Sequence, residues 1–208
     1  MIKAVVFDFG GVMTTTTMPE RVRPIVEEAG IGWAAIERGF EKYRRLMDAD
    51  FMTLGEMYAK IWREAGVEID AATEKKVVEA DVASFMYRNE KTLEWMRELR
   101  DRGFVLGVLT NMSRSFAARA RSTFDDFFSL AKAMVVSGEE GIYKPMREIY
   151  DLAAARLGLE PGEICFIDDA PANCEGARAA GWKAIPFAGL DACRRDFEAL
   201  LDADGKAQ

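Results

Sequence analysis

From residue 89 onward, short apolar runs rich in β-branched and aromatic residues alternate with stretches of helical period. This alternation limits the fold more than any other feature of the chain. Phe104-Val-Leu-Gly-Val-Leu109, Lys132-Ala-Met-Val-Val136, Glu163-Ile-Cys-Phe-Ile167 and Lys183-Ala-Ile185 read as buried-type strands. Around them lie helices: from Asn89 through Leu93, Met96 and Leu99 to Gly103, a short one from Ser113, Met146 to Leu157 ended by Gly158, about Ala172 to Ala180 ended by Gly181, and Leu190 to Leu201, before a polar tail Asp204–Gln208. Strands joined by helices need right-handed crossovers, which predicts an α/β fold, a doubly wound, mainly parallel Rossmann-like sheet with helices on both faces. The opening run Lys3-Ala-Val-Val-Phe7 supplies one more strand. It delivers Asp8 and then turns at Gly10-Gly11, as a parallel sheet presents a reactive group at a strand's carboxyl end.

Residues 14–88 carry no convincing strand. Thr14–Thr17 with Met18-Pro19 read as a linker and helix start. Val22, Ile25, Val26 and Ala29 mark a first helix that Pro24 delays or kinks, and Trp33, Ile36, Phe40, Tyr43 and Met47 a second. Thr53-Leu-Gly-Glu56 fits a capping box for a third, closed by Gly66, and Asp70 caps a fourth carrying Val77, Val78, Val82, Phe85 and Met86. The expected organisation is a core of residues 1–13 and 89–208, with a four-helix cap of residues 14–88 inserted over the strand ends.

Composition removes several classes of function. With 28 basic and 35 acidic residues the net charge is −7, which opposes binding to a phosphate backbone, so nucleic acid is not an expected partner. There is no histidine, hence no imidazole base and no His-ligated zinc. Cys165, Cys174 and Cys193 have no metal-like spacing, and an odd count suits a reducing compartment. No apolar run nears the roughly 20 residues of a membrane span. Asp8 interrupts the first apolar run before it resembles a signal peptide, and the expected location is the cytoplasm.

Four stretches place polar residues just after a core strand or its following turn: Asp8, Thr110-Asn111, Lys144 in Gly141-Ile-Tyr-Lys-Pro145, and Asp168-Asp169. Taken singly each has an ordinary reading. Asp8 is a turn former, Asp168-Asp169 a helix cap, Lys144 a solvated loop residue, and Thr110-Asn111 a strand-to-helix turn. The aromatic residues and methionines of the cap read as packing. In a doubly wound sheet, however, the carboxyl ends of neighbouring strands meet in one crevice. Three carboxylates brought together there need a cation, and hard oxygen donors suit Mg²⁺. Lys144 and the Thr110 hydroxyl would add donors for a phosphoryl group that Asp8 is free to attack.

Phe7-Asp-Phe-Gly-Gly-Val12, Leu109-Thr-Asn111, Gly141–Pro145 and Phe166-Ile-Asp-Asp-Ala-Pro-Ala-Asn173 occur in order, the last running into Glu175-Gly-Ala177 and Ala180-Gly181. In these four motifs the sequence resembles the haloacid dehalogenase superfamily of hydrolases, in the subgroup with a helical cap between the first and second motifs. The resemblance implies that Asp8 is a nucleophile forming an aspartyl-phosphate, and that the Gly10 carbonyl joins Asp8 and Asp169 on Mg²⁺. It further implies that Asp168 supports the metal, that Thr110 and Lys144 hold the phosphate, and that Asn111 and Arg114 are candidate substrate contacts. Phosphatases of this superfamily usually carry an acid/base aspartate where this chain has Gly10. Such a proton-transfer group is worth roughly 10²–10⁴-fold in rate. A subset with this DxG first motif includes sugar-phosphate phosphatases.

The expected function is therefore Mg²⁺-dependent hydrolysis of a small phosphorylated metabolite, such as a sugar phosphate, by a monomer or homodimer. The alternatives are a non-enzymatic binding protein, in which Gly10 records lost chemistry, and a metal-independent 2-haloacid dehalogenase, whose pattern has tyrosine at the position of Gly10.

Overall fold

The computed structural model describes residues 1–206. Five parallel strands, β1 (Ala4–Phe7), β4 (Val105–Thr110), β5 (Ala133–Val136), β6 (Ile164–Asp168) and β7 (Lys183–Pro186), form one sheet in the order β5-β4-β1-β6-β7. β1 is central because all four of its residues are apolar and both its faces are covered. Val5 and Phe7 pack with α5 (Glu90–Asp101), α6 (Arg114–Thr123), α7 (Asp125–Phe128) and α11 (Leu190–Lys206). Ala4 and Val6 pack with α9 (Arg147–Leu157) and α10 (Pro171–Ala179) on the other face. The doubly wound arrangement is therefore as expected. Phe7 stands level with Val108 and Ile167, so β1, β4 and β6 end side by side.

The inserted segment contains α1 (Met18–Glu28), α2 (Trp33–Asp48), α3 (Leu54–Ala65) and α4 (Ala71–Ser84), packed about Val22, Val26, Ile36, Tyr58, Ile61 and Val77. The third helix has its capping box, with Glu56 N donating to Thr53 Oγ1 at 3.1 Å and Thr53 N donating to Glu56 Oε2 at 2.7 Å. Gly66 closes it in the left-handed region at φ 69°.

Several elements depart from the sequence reading. Thr14–Thr15, expected as linker, form β2, which pairs antiparallel with β3 (Tyr87–Arg88) and joins the two strands of chain entering and leaving the cap. Pro19 falls in the first turn of α1, so the helix starts before Pro24 and carries that proline inside it. Asn89 stands at the N-cap of α5, but its Nδ2 donates to Val12 O at 3.1 Å instead of capping. A four-residue helix, α8 (Ser137–Glu140), and a 3₁₀ turn at Pro161–Glu163 were not expected. The last helix continues past Leu201 to Lys206, because Asp204 is bonded to the sheet rather than hanging in a polar tail. Residues 207 and 208 of that tail lie outside the described residues.

Candidate active site

The functional side chains other than Lys144 stand where a strand ends. Asp8 follows β1, and its amide donates to Ile167 O at 2.8 Å, locking the turn against β6. Thr110 ends β4 and Asp168 ends β6, both buried. Lys144 comes from the loop between α8 and α9 and is 1% exposed. Its Nζ lies 2.8 Å from Asp8 Oδ1 and donates to Asp168 Oδ2 at 2.6 Å and Leu109 O at 3.1 Å. Burial of an ammonium is tolerated only with such partners. Although desolvation works against its charge, Asp8 and Asp168 hold the Lys144 pKa above the ordinary lysine value.

Asp168 is saturated. Besides Lys144 it accepts from Ala170 N at 2.8 Å and from Asn173 Nδ2 at 3.1 Å to each oxygen. Asp169, next in the chain, is exposed toward the crevice. One oxygen from each of Asp8, Asp168 and Asp169 can be chosen so that all lie within 4.8 Å of one another. Three carboxylates around a single ammonium leave a surplus of negative charge. Burial pushes the Asp8 pKa up to about 7, with Lys144 pulling the other way and Asp168 and Asp169 adding to the rise. The residues therefore fit a divalent cation, which would take up this surplus with oxygen donors alone. Gly11 completes the cradle. A Cβ there would lie 2.2 Å from Asp169 Oδ2, so only glycine lets the β1 turn approach that carboxylate.

The crevice opens into a cavity of about 510 Å³ between the strand ends and the helical cap. Asp8, Gly10, Thr110, Asn111, Lys144 and Asp169 form part of its core side, and Arg44, Asp48, Asp81 and Phe85 part of its cap side. Two expected residues are engaged differently. Asn111 accepts from Lys144 N at 2.8 Å and donates to Lys144 O at 3.0 Å, so its side chain positions the lysine loop. Arg114 does not line the cavity. Its amide donates to Asp50 Oδ1 of the cap at 3.3 Å and its Nη2 to Gly138 O at 3.3 Å. The sequence reading did not assign Asn173 or the cap residues Arg44, Asp48 and Asp81. For Asp81 a signal exists: it interrupts the apolar stripe of Val77, Val78, Val82 and Phe85.

A family model described as haloacid dehalogenase-like hydrolase matches residues 2–181. Phosphatase MT3486 of Mycobacterium tuberculosis is 31% identical over 191 residues, covering 88% of this chain and 86% of the relative. A D-ribitol-5-phosphate phosphatase of Bacteroides thetaiotaomicron is 24% identical, covering 98% and 100%. Among solved structures, a haloacid dehalogenase family enzyme of Bacteroides thetaiotaomicron, in complex with magnesium and inorganic phosphate, superposes with a TM-score of 0.69 at 20% identity, covering 89% of this chain and 94% of that one. The carboxylate-lined crevice under a helical cap and the match over most of the length agree, and the chain belongs to the haloacid dehalogenase-like hydrolases.

Proposed function

We propose that the protein is a Mg²⁺-dependent phosphatase that hydrolyses a small phosphorylated metabolite through an aspartyl-phosphate on Asp8. The observation that carries this reading is the convergence of the Asp8, Asp168 and Asp169 carboxylates, the first two paired with buried Lys144, beside a cavity between the strand ends and the helical cap. The phosphatase names of the relatives support it.

An Asp8 oxygen attacks phosphorus in line with the ester oxygen. The P–O bond to the alcohol breaks as the acyl phosphate forms, and water then cleaves the acyl phosphate to return the carboxylate and release inorganic phosphate. Asp8, Asp169 and the Gly10 carbonyl, with Asp168 in support, would hold a Mg²⁺ ion, which when bound would neutralise charge on the phosphoryl oxygens. Lys144 and Thr110 hold the phosphoryl group, and Asn111 and Asn173 keep Lys144 and Asp168 in place. Gly10 provides no side chain to protonate the leaving alkoxide, so the alkoxide takes its proton from water, and turnover is slow for this chemistry.

The deciding measurement is phosphate release from a panel of esters with Mg²⁺, with EDTA, and by Asp8→Asn. Activity that both EDTA and Asp8→Asn abolish is the expected result. Metal binding without turnover of any ester would move the reading to a binding protein, and halide release from 2-chloropropionate without Mg²⁺ to a dehalogenase.

A further inference from the structure

The cap side of the cavity holds a charge cluster that the proposed chemistry does not use. Asp48 and Asp81 are 6% and 2% exposed, yet both line the cavity with Arg44. Arg44 Nε donates to Asp48 Oδ1 at 3.0 Å, and Tyr58 Oη donates to Asp81 Oδ2 at 2.7 Å. Among the described residues, the side-chain hydrogen bonds of this cluster are these two, which leave both Nη of Arg44, Asp48 Oδ2 and Asp81 Oδ1 open. The Arg44 guanidinium lies over the Phe85 ring, 5.2 Å from its centroid. The cluster is also fixed relative to the core. Ser137 Oγ donates to Asp48 O at 2.6 Å and accepts from Met112 N at 2.9 Å, two residues beyond Thr110. These atoms are not sealed off: their residues line the cavity, so their open valences are available to a molecule bound there.

The charge balance selects the partner. Burial raises the pKa of both aspartates, against the pull of Arg44. With the Arg44–Asp48 pair intact, the cluster is neutral if Asp81 holds a proton and carries one negative charge if it does not. In neither state is a positive charge left over. A second phosphate or a carboxylate placed here competes with Asp48 for Arg44 and leaves a buried carboxylate unpaired. Hydroxyl groups meet no such conflict, since they donate to Asp48 and Asp81 and accept from Arg44, while Phe85 offers a flat apolar surface to the carbon chain. Arg119, the other cap-independent cation on the cavity wall besides Lys144, is exposed at the rim, where water screens it.

Resting on the phosphatase reading, we propose that Arg44, Asp48 and Asp81 are specificity-determining residues that select phosphate esters of uncharged polyhydroxylated alcohols over esters bearing a second anionic group. The test compares kcat/KM with Mg²⁺ for glycerol phosphate and sorbitol phosphate against phosphoglycerate, phosphoserine and fructose bisphosphate, with p-nitrophenyl phosphate reporting the core chemistry. The polyol esters are expected to lead by about tenfold or more. Asp81→Asn and Asp48→Asn, each checked for folding by circular dichroism, are expected to narrow that ratio by about fivefold, chiefly through KM of the polyol esters. The wild-type ranking tests the substrate class even where a variant fails to fold, and a ratio unchanged in a folded Asp81→Asn or Asp48→Asn protein overturns the assignment to these residues. Equal or inverted ranking alongside hydrolysis of p-nitrophenyl phosphate overturns the cap assignment and leaves the phosphatase reading standing. If no ester is hydrolysed, the phosphatase reading fails and the cap assignment falls with it.

Discussion

A methyl group on Gly11 would sit 2.2 Å from the Asp169 carboxylate, and the residue's φ of +75° lies in the left-handed region. Gly11→Ala therefore strains the turn by about 1–2 kcal/mol and pushes aside a carboxylate of the metal cradle. The expected result is a roughly 10–100-fold loss of apparent Mg²⁺ affinity in an activity titration, comparable to the loss of a supporting ligand contact. An unchanged Mg²⁺ dependence would rule out Asp169 as part of that cradle. Gly10 presents the opposite case. A Cβ there meets only Phe85 ring carbons at 3.8 Å, ordinary contact distance, so a side chain can start from Gly10 without a clash. Gly10→Asp is expected to raise kcat by about tenfold or more, toward the rate a positioned acid gives. A fall in kcat with Mg²⁺ binding intact would mean that proton transfer is already served by another group. At this scale the sequence was informative wherever a side chain's position follows from the strand it ends, as with Asp8, Thr110, Asp168 and Asp169. It was silent where position depends on distant chain. Asn111 is spent on the backbone of Lys144, 33 residues away, and Arg114 on Asp50, 64 residues away, and no local pattern encodes either contact.

Element by element, legibility followed length. Strands of four to six residues and helices of nine or more residues were visible because their periods repeat. The two-residue ladder of β2 and β3 and the four-residue helices α7 and α8 each span about one period, too short for a repeat to reveal them. The cap's helices were readable, but the closeness of their packing was not. Gly39 on α2 faces α3, and a Cβ there would come within 2.3 Å of Ile61 Cγ1. The glycine is what lets these two helices approach. Gly39→Val is expected to destabilise the cap by about 1–3 kcal/mol, the usual cost of overpacking, seen as a lower midpoint in urea unfolding. Because the sheet and its carboxylates do not depend on this contact, Mg²⁺ affinity is expected to stay close to wild type while KM for the substrate rises. Loss of metal affinity in a folded Gly39→Val protein would show that cap and metal site are coupled more tightly than their separate hydrophobic clusters imply.

For the molecule as a whole, the last helix closes the fold by reaching back to its beginning. Asp204 accepts from Ile2 N at 2.7 Å through Oδ2 and from Lys183 Nζ on β7 at 2.8 Å through Oδ1. One carboxylate thus ties α11 both to Ile2, two residues before the central strand, and to an edge strand of the sheet. Lys183, the Ile2 amide and the other nearby donors outweigh desolvation and pull the Asp204 pKa down to about 2, from an ordinary value of 3.8. A depressed folded-state pKa gives stability that is fully present above the ordinary value and is lost as pH falls through the folded one. The group is close to solvent, so the contribution is screened to about 1 kcal/mol. Asp204→Asn is accordingly expected to lower unfolding free energy by about that amount at pH 7. The gap between variant and wild type should begin to shrink once the pH drops below about 4 and close only below about 2, where the wild-type carboxylate itself becomes mostly protonated. Urea unfolding of both proteins across that range measures it. A gap that stays constant down to the lowest pH would mean that Asp204 acts through the shape of its hydrogen bonds and not through its charge.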